Sequence, residues 1–84
     1  MQPIERTQTG VRIERRTLKV LKALAEYLDL SLGDLLEGVV LHVFEGKTPF
    51  SEETLVQIAR LKVVYGLELT AQDAHSFPDA GADG

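Results

Sequence analysis

The basic side chains of this chain are concentrated near its start, where their spacing could bind anions. Six of the nine Lys and Arg residues fall within residues 1–22, and they are Arg6, Arg12, Arg15, Arg16, Lys19 and Lys22. With two acids this segment carries a net charge of +4, whereas the rest of the chain carries −8. Lys and Arg side chains bind the phosphates of nucleic acids and give them a salt-sensitive affinity. The alternative interpretation is a solvated basic surface with no partner.

Residues Thr9–Ile13 have the alternating pattern of a short β-strand. Thr9, Val11 and Ile13 point to one side, and the residues between them point to the other. A lone strand of this length cannot pair its backbone groups, and no comparable strand lies nearby in the sequence. The simplest partner is the same strand of a second copy. The sequence therefore predicts an obligate homodimer, in which the basic patch doubles to about +8.

The composition limits the class of protein. An 84-residue chain with 44% hydrophobic residues fits one small domain, and helical domains of this size often gain stability by oligomerising. No apolar run approaches the roughly 18 residues of a membrane span, and no secretory leader is visible. We therefore expect a cytoplasmic protein with no membrane partner. The absence of cysteine excludes disulfides and thiolate metal sites.

No group of residues in the sequence points to catalysis. A phosphate-binding loop, a nucleophile–base pair and a paired-carboxylate site are all missing, so we expect that the protein is not an enzyme. His42 and His75 lack a matched partner four residues away and are interpreted as packed or surface residues. We expect neither a metal nor another cofactor.

Two amphipathic helices are predicted after the strand. Helix A runs from Arg15 to about Leu28, with an apolar stripe at steps of three and four residues. Asp29 is expected in a left-handed turn. Helix B follows Ser31, which caps it in an S-x-x-D motif, and ends at Gly46. Apolar residues cover more than half of helix B, which favours a position between helix A and a second protomer.

The sequence divides into four parts. They are a flexible arm over residues 1–6, a folded domain over 7–46, a C-terminal helical extension over 47–76 and a flexible tail over 77–84. Within the extension, Ser51 is expected to cap a third helix that ends at Gly66. Thr70 and Asp73 predict a short terminal turn.

The order of strand, helix, short turn and helix resembles the ribbon-helix-helix (Arc/MetJ-type) family of bacterial DNA-binding proteins. The stretches that carry the resemblance are Val11–Ile13, Leu24–Ser31 and Asp34–Glu37. The resemblance implies a mainly α fold with one short strand, forming an intertwined dimer, here with the C-terminal helical extension added. It also implies that the paired strands form a two-stranded ribbon in the DNA major groove, as in a transcriptional regulator.

The resemblance assigns roles to particular residues. The base-reading positions on the ribbon are Gln8, Gly10 and Arg12, of which Gln8 suits adenine and Arg12 suits guanine. The residues expected to contact phosphate are Arg6, Arg15, Arg16, Lys19, Ser31, Leu32 and Gly33. The residues expected in the dimer core are Val11, Ile13, Leu21, Leu36, Val39, Val40 and Val43. Gly10 departs from the usual polar residue, and Asp34 repels phosphate at the start of helix B.

A second function fits the same sequence. The chain could serve as a protein-interaction or dimerisation module, either antitoxin-like or a scaffold, with weak or no DNA binding. Gly10, Asp34 and the total charge of −4 favour this alternative. A protein partner would then bind through residues 47–76, whereas the first hypothesis requires double-stranded DNA and a second copy of the chain.

Overall fold

The computed structural model describes residues 3–75, without the side chain of His75, and forms three α-helices and one short 3-10 helix. The helices are α1 (Arg15–Tyr27), α2 (Leu32–Phe44) and α3 (Glu52–Tyr65), followed by the 3-10 helix Ala71–His75. The predicted tail over 77–84 and the first two residues of the predicted arm lie outside the described residues. None of the helices in the described part is long and apolar enough to cross a membrane.

The prediction of a strand, and with it the ribbon-helix-helix fold, is wrong for this structure. Residues 3–14 have no regular secondary structure, and no strand occurs anywhere within residues 3–75. A strand exists only where its backbone groups pair with another strand. Val11, which is 71% exposed in the single chain, is not covered by a strand of the same chain. The alternating side chains of Thr9–Ile13 fit a strand, but the described chain offers no second strand with which to pair.

Helix α1 forms the centre of the fold. It begins at Arg15, as predicted, after Glu14, whose carboxylate accepts a hydrogen bond from the Thr17 backbone N–H at 2.8 Å. Its inner face carries three buried residues, Val20, Leu24 and Ala25. Because these residues follow the helical period, α1 presents one continuous apolar face to its neighbours.

Helix α2 is joined to α1 by a tight turn. Asp29 has a φ of 59°, which confirms the expected left-handed residue, and the hydroxyl of Ser31 caps α2 by accepting from the Asp34 N–H at 3.1 Å. Leu35 is the one residue of α2 that is fully buried, against Leu24 and Ala25. One face of α2 therefore packs on α1, and its outer face leaves apolar side chains such as Phe44 exposed.

Helix α3 also packs on α1, and α2 and α3 do not pack on each other within residues 3–75. Ser51 caps α3, and Gly66 ends it with a φ of 66°, both as predicted. Ile58 and Leu61 pack against the central apolar cluster. After Gly66, the carboxylate of Asp73 accepts from the Thr70 N–H at 2.8 Å at the start of the 3-10 helix.

The apolar core is small for a chain of this length. Four apolar residues are buried among the described residues: Val20, Leu24, Ala25 and Leu35. Six others pack partly buried against the cluster of Leu24, Ala25 and Leu35, namely Leu21, Leu28, Val39, Phe50, Ile58 and Leu61. Many larger apolar side chains of α2 and α3 are exposed. A single copy of the chain therefore leaves much of its apolar surface in water, where burial would be favourable.

Candidate nucleic-acid interface

A stripe of three basic residues runs along the outer face of α1. Arg15, Lys19 and Lys22 are exposed and follow steps of four and three residues, which places them within about 60° of one another around the helix axis. The stripe lies opposite the buried face of Leu24. Fixed helical spacing holds the three charges along one line about 10 Å long, at 1.5 Å of rise per residue.

The residues predicted to read bases lie on the segment before α1. Gln8, Gly10 and Arg12 are all exposed in residues 3–14, so their side chains are accessible although they do not lie on a ribbon. A Cβ added at Gly10 would meet nothing within 4 Å, so no close contact in the described structure requires glycine there. The three residues predicted to read bases are therefore displayed on an irregular segment.

Arg6 is drawn away from this surface. Its guanidinium donates to the carboxylate of Glu37 on α2, and this ion pair raises the pKa of Arg6. Asp34 on the same helix adds to the attraction. Both members of the pair are largely exposed, so salt and water screen it. The segment before α1 thus crosses towards α2, and Arg6 must exchange a carboxylate for a phosphate if it binds nucleic acid.

Arg12 and Arg16 line a cleft between the start of α1 and the end of α3. The cleft has a volume of about 940 Å³, and Lys62 of α3 lies in its wall. The guanidinium of Arg16 donates to the backbone carbonyl of Gly66 at 3.3 Å, which ties the two helix ends together. Arg16 therefore has a structural contact, and its phosphate role stays a prediction. Lys62 adds a cation that the sequence did not predict for the site.

The start of α2 has the expected cap but a mixed charge. Ser31 and Gly33 are exposed, whereas Leu32 is half-buried. A Cβ at Gly33 would meet nothing within 4 Å, so the backbone there is open to solvent. The hydroxyl of Ser31 already accepts from the Asp34 N–H. The positive end of the helix dipole favours an anion here, while the exposed carboxylate of Asp34 opposes it.

The residues predicted for a dimer core divide into two groups. Leu21 and Val39 pack against the core of their own chain, and Ile13 and Leu36 are half-buried. Val11, Val40 and Val43 are exposed in the single chain. The exposed apolar surface of α2 also includes Leu41 and Phe44, which the prediction did not name.

The cap of α1 was also missed. Glu14 accepts from both the backbone N–H and the hydroxyl of Thr17, at 2.8 and 2.9 Å. These backbone hydrogen bonds, with that of Arg16, lower the pKa of Glu14. Glu is not among the preferred N-cap residues, so the available signal was a carboxylate three residues before a Thr at the start of an amphipathic helix. The cap fixes the point at which the irregular segment becomes the basic helix.

Comparison with protein-family models, with curated proteins and with solved structures gave no match. The resemblance to the ribbon-helix-helix family therefore rests on the sequence pattern alone.

Proposed function

We propose that this chain is a DNA-binding protein of the cytoplasm that regulates transcription and acts as a homodimer. The observation that carries the proposal is the exposed stripe of Arg15, Lys19 and Lys22 along α1, to which the exposed Arg12 on the preceding segment adds a further cation. Accessible Lys and Arg side chains can neutralise DNA phosphates, and α1 holds three of them at fixed spacing. Binding that uses mainly such contacts has weak sequence specificity.

The charge distribution explains how an acidic chain can bind DNA. Along the sequence, residues 1–22 carry a net charge of +4 and residues 23–84 carry a net charge of −8. At physiological salt the Debye length is about 8 Å, so a phosphate beside α1 responds mainly to nearby charges. Arg15, Lys19 and Lys22 therefore attract DNA phosphates. Glu26, which is exposed one turn after Lys22 on the same side of α1, weakens that attraction at the end of the stripe.

The homodimer is supported by the outer face of α2. Phe44 is 78% exposed, and Val40, Leu41 and Val43 are exposed beside it. A contiguous apolar face on a small domain is typical of a protein interface. A second copy packed on this face would cover the exposed apolar side chains and bring two basic surfaces into one assembly.

The proposal is tested by titrating salt against binding to random-sequence duplex DNA. If each protomer of the dimer neutralises about three phosphates, log K should fall with log salt with a slope near −5, at roughly 0.9 per phosphate. Fluorescence anisotropy with labelled DNA measures the slope, and sedimentation on the same sample gives the mass of the protein. A dimer that fails to bind even at low salt would refute DNA binding.

The double variant Arg12→Ala/Arg15→Ala locates the binding surface. It should weaken binding at low salt by at least about tenfold and flatten the slope by roughly 3 to 4, because four phosphate contacts per dimer are lost. The matched control is Arg60→Ala, which removes an exposed arginine on α3 away from the basic surface. If the control weakens binding as much as the double variant, the surface has been placed wrongly.

A second function is favoured by the exposed apolar residues of α3. Leu55, Val56 and Val63 are accessible on the predicted extension, where a protein partner could bind. Under this alternative the double arginine variant leaves partner capture intact. Loss of DNA binding together with retained capture of a protein would separate the two functions in a single experiment.

A further inference from the structure

The cleft between the start of α1 and the end of α3 has an aliphatic lining. Val20 is buried in its wall, and Ile13, Ile58, Leu67 and Leu69 are half-buried there. Its volume of about 940 Å³ is enough for a large side chain and the backbone that carries it. Aliphatic side chains that stay half-exposed in a concave site are stabilised when another apolar group covers them. The cleft is therefore suited to a large apolar side chain.

The last described residues of the chain form one wall of the same cleft. Ala71 and Ala74 of the 3-10 helix line it, and residues 76–84 follow directly after that helix. Phe77 is three residues beyond Ala74, and three residues of extended chain span at most about 10 Å. Although the composition of residues 77–84 predicts a flexible tail, Phe77 is thus a large apolar residue that the chain itself keeps within reach of the aliphatic lining.

The charges of the cleft and of the segment after it favour contact between them. The charged residues of the lining are Arg12, Arg16, Lys62, Glu14 and Glu68, with a net charge of +1. Residues 76–84 contain Asp79 and Asp83 and no Lys or Arg. Asp79 is two residues after Phe77, at most about 7 Å of extended chain, which is within the screening length of about 8 Å at physiological salt. Glu68 opposes the attraction, so the aliphatic contacts of Phe77 must supply most of the binding.

We propose that residues 76–84 fold back on their own chain, with the ring of Phe77 among the aliphatic residues of the cleft and Asp79 beside the cations of its wall. A segment on so short a tether is present at an effective concentration on the order of millimolar, which favours it over a second copy or a free ligand. The docked carboxylates then compete with other anions for Arg16 and Lys62. The contact is autoinhibitory if these cations bind DNA, and that part rests on the proposed function.

The first test follows the isoleucine methyl groups of the full chain by NMR. Ile13 and Ile58 line the cleft, whereas Ile4 lies outside it and is 79% exposed. An aromatic ring packed on a methyl group shifts its resonance and gives nuclear Overhauser effects to it. Phe77→Leu should shift Ile13 and Ile58 and leave Ile4 unchanged, while Phe44→Leu, the matched control on α2, should leave both cleft residues unchanged. A wild-type chain without contacts from the Phe77 ring to either cleft methyl would overturn the proposal.

The second test determines which copy supplies the segment. Methyl-labelled Phe77→Leu chain is mixed with an excess of unlabelled wild-type chain. If each chain fills its own cleft, the labelled Ile13 and Ile58 methyl groups should keep the resonances of the variant. Return of the wild-type resonances in the mixture would show that the segment of a second copy occupies the cleft, which would overturn the intramolecular contact.

The third test measures the effect on DNA binding. If the segment is docked in about nine of ten molecules, Phe77→Ser should raise the affinity for random-sequence duplex DNA by up to about tenfold, because only the undocked state binds fully. Ala80→Ser is the matched control in the same segment and should leave the affinity unchanged. An affinity that stays the same after the methyl contacts are lost would overturn the autoinhibition. If neither chain binds DNA, the proposed function fails, and the methyl contacts still decide whether the segment is docked.

Discussion

The carboxylate of Glu14 caps the start of α1, the helix that carries the basic stripe. It accepts from Thr17 at the first turn of α1, where the helix dipole also favours a negative charge. These backbone hydrogen bonds lower the pKa of Glu14 on folding. A carboxylate whose pKa is lower in the folded chain stabilises that state above its unfolded pKa of about 4.3. The stabilisation is lost as the pH falls through the folded pKa.

We expect Glu14→Gln to lower the melting temperature at pH 7 and to make the start of α1 less sensitive to acid. The difference from the wild type should shrink as the pH falls below about 4, because the wild-type carboxylate is then protonated as well. Thermal unfolding followed by circular dichroism at several pH values measures this. Glu26→Gln, at the other end of the same helix, is the control, because it removes a carboxylate outside the cap. A difference that stays constant down to pH 2 would show that the charge of Glu14 plays no part.

At the scale of the elements, α2 and α3 are both capped by a serine, but the residues around the two caps differ in burial. Ser31 caps α2 at an exposed turn. Ser51 caps α3 and also donates to the hydroxyl of Thr54 at 3.1 Å, and Thr54 is buried. Removing a partner from a buried hydroxyl adds a desolvation cost to the loss of the cap. The same substitution should therefore have unequal effects at the two serines.

We predict that Ser51→Ala destabilises the chain by about 1–2 kcal/mol, and Ser31→Ala by about 0.5–1 kcal/mol. Urea unfolding followed by circular dichroism gives both free energies of unfolding. Ser51→Thr keeps a hydroxyl at the cap and serves as the control, with most of the stability retained. If Ser31→Ala proved the more damaging change, the start of α2 would be more important for the fold than the buried contact at α3.

At the scale of the whole molecule, the balance between buried and exposed apolar residues sets the state of assembly. Packing of α2 and α3 on α1 buries four apolar residues among those described. It leaves Phe44 of α2 and Val63 of α3 exposed to water. Small domains with so thin a core commonly gain stability by association. The stability of this chain should accordingly depend on its concentration.

Phe44→Glu tests the homodimer that we propose through α2. The side chain is 78% exposed in the single chain, so the variant should fold, yet a buried charge at a two-fold interface should reduce the mass by half. Sedimentation equilibrium measures the mass, and melting at two protein concentrations should show a concentration dependence in the wild type that the variant lacks. Ile4→Glu is the control, since Ile4 is 79% exposed on the segment before α1. A wild-type mass in Phe44→Glu would place the dimer contact elsewhere.

Local signals in the sequence determined the start of α1 and the caps and ends of α2 and α3. Ser31, Ser51, Gly66 and the left-handed Asp29 lie where the sequence predicted them, because a cap or a turn depends on hydrogen bonds within a few residues. The accumulation of basic residues at one end is likewise a property of the sequence alone, and the structure adds that Arg15, Lys19 and Lys22 share one exposed face.

Contacts between distant residues decided the rest. Alternation in Thr9–Ile13 predicted a strand, but a strand depends on a pairing partner, and residues 3–14 have none that forms a strand in the described part of the chain. The tertiary structure alone showed that Arg6 pairs with Glu37, and that Arg12 and Arg16 share a cleft with Lys62. It also showed that α2 and α3 lie separately on α1, each with an apolar face exposed. Helical periodicity identifies an apolar face, but only the packing of the whole chain determines which faces are covered.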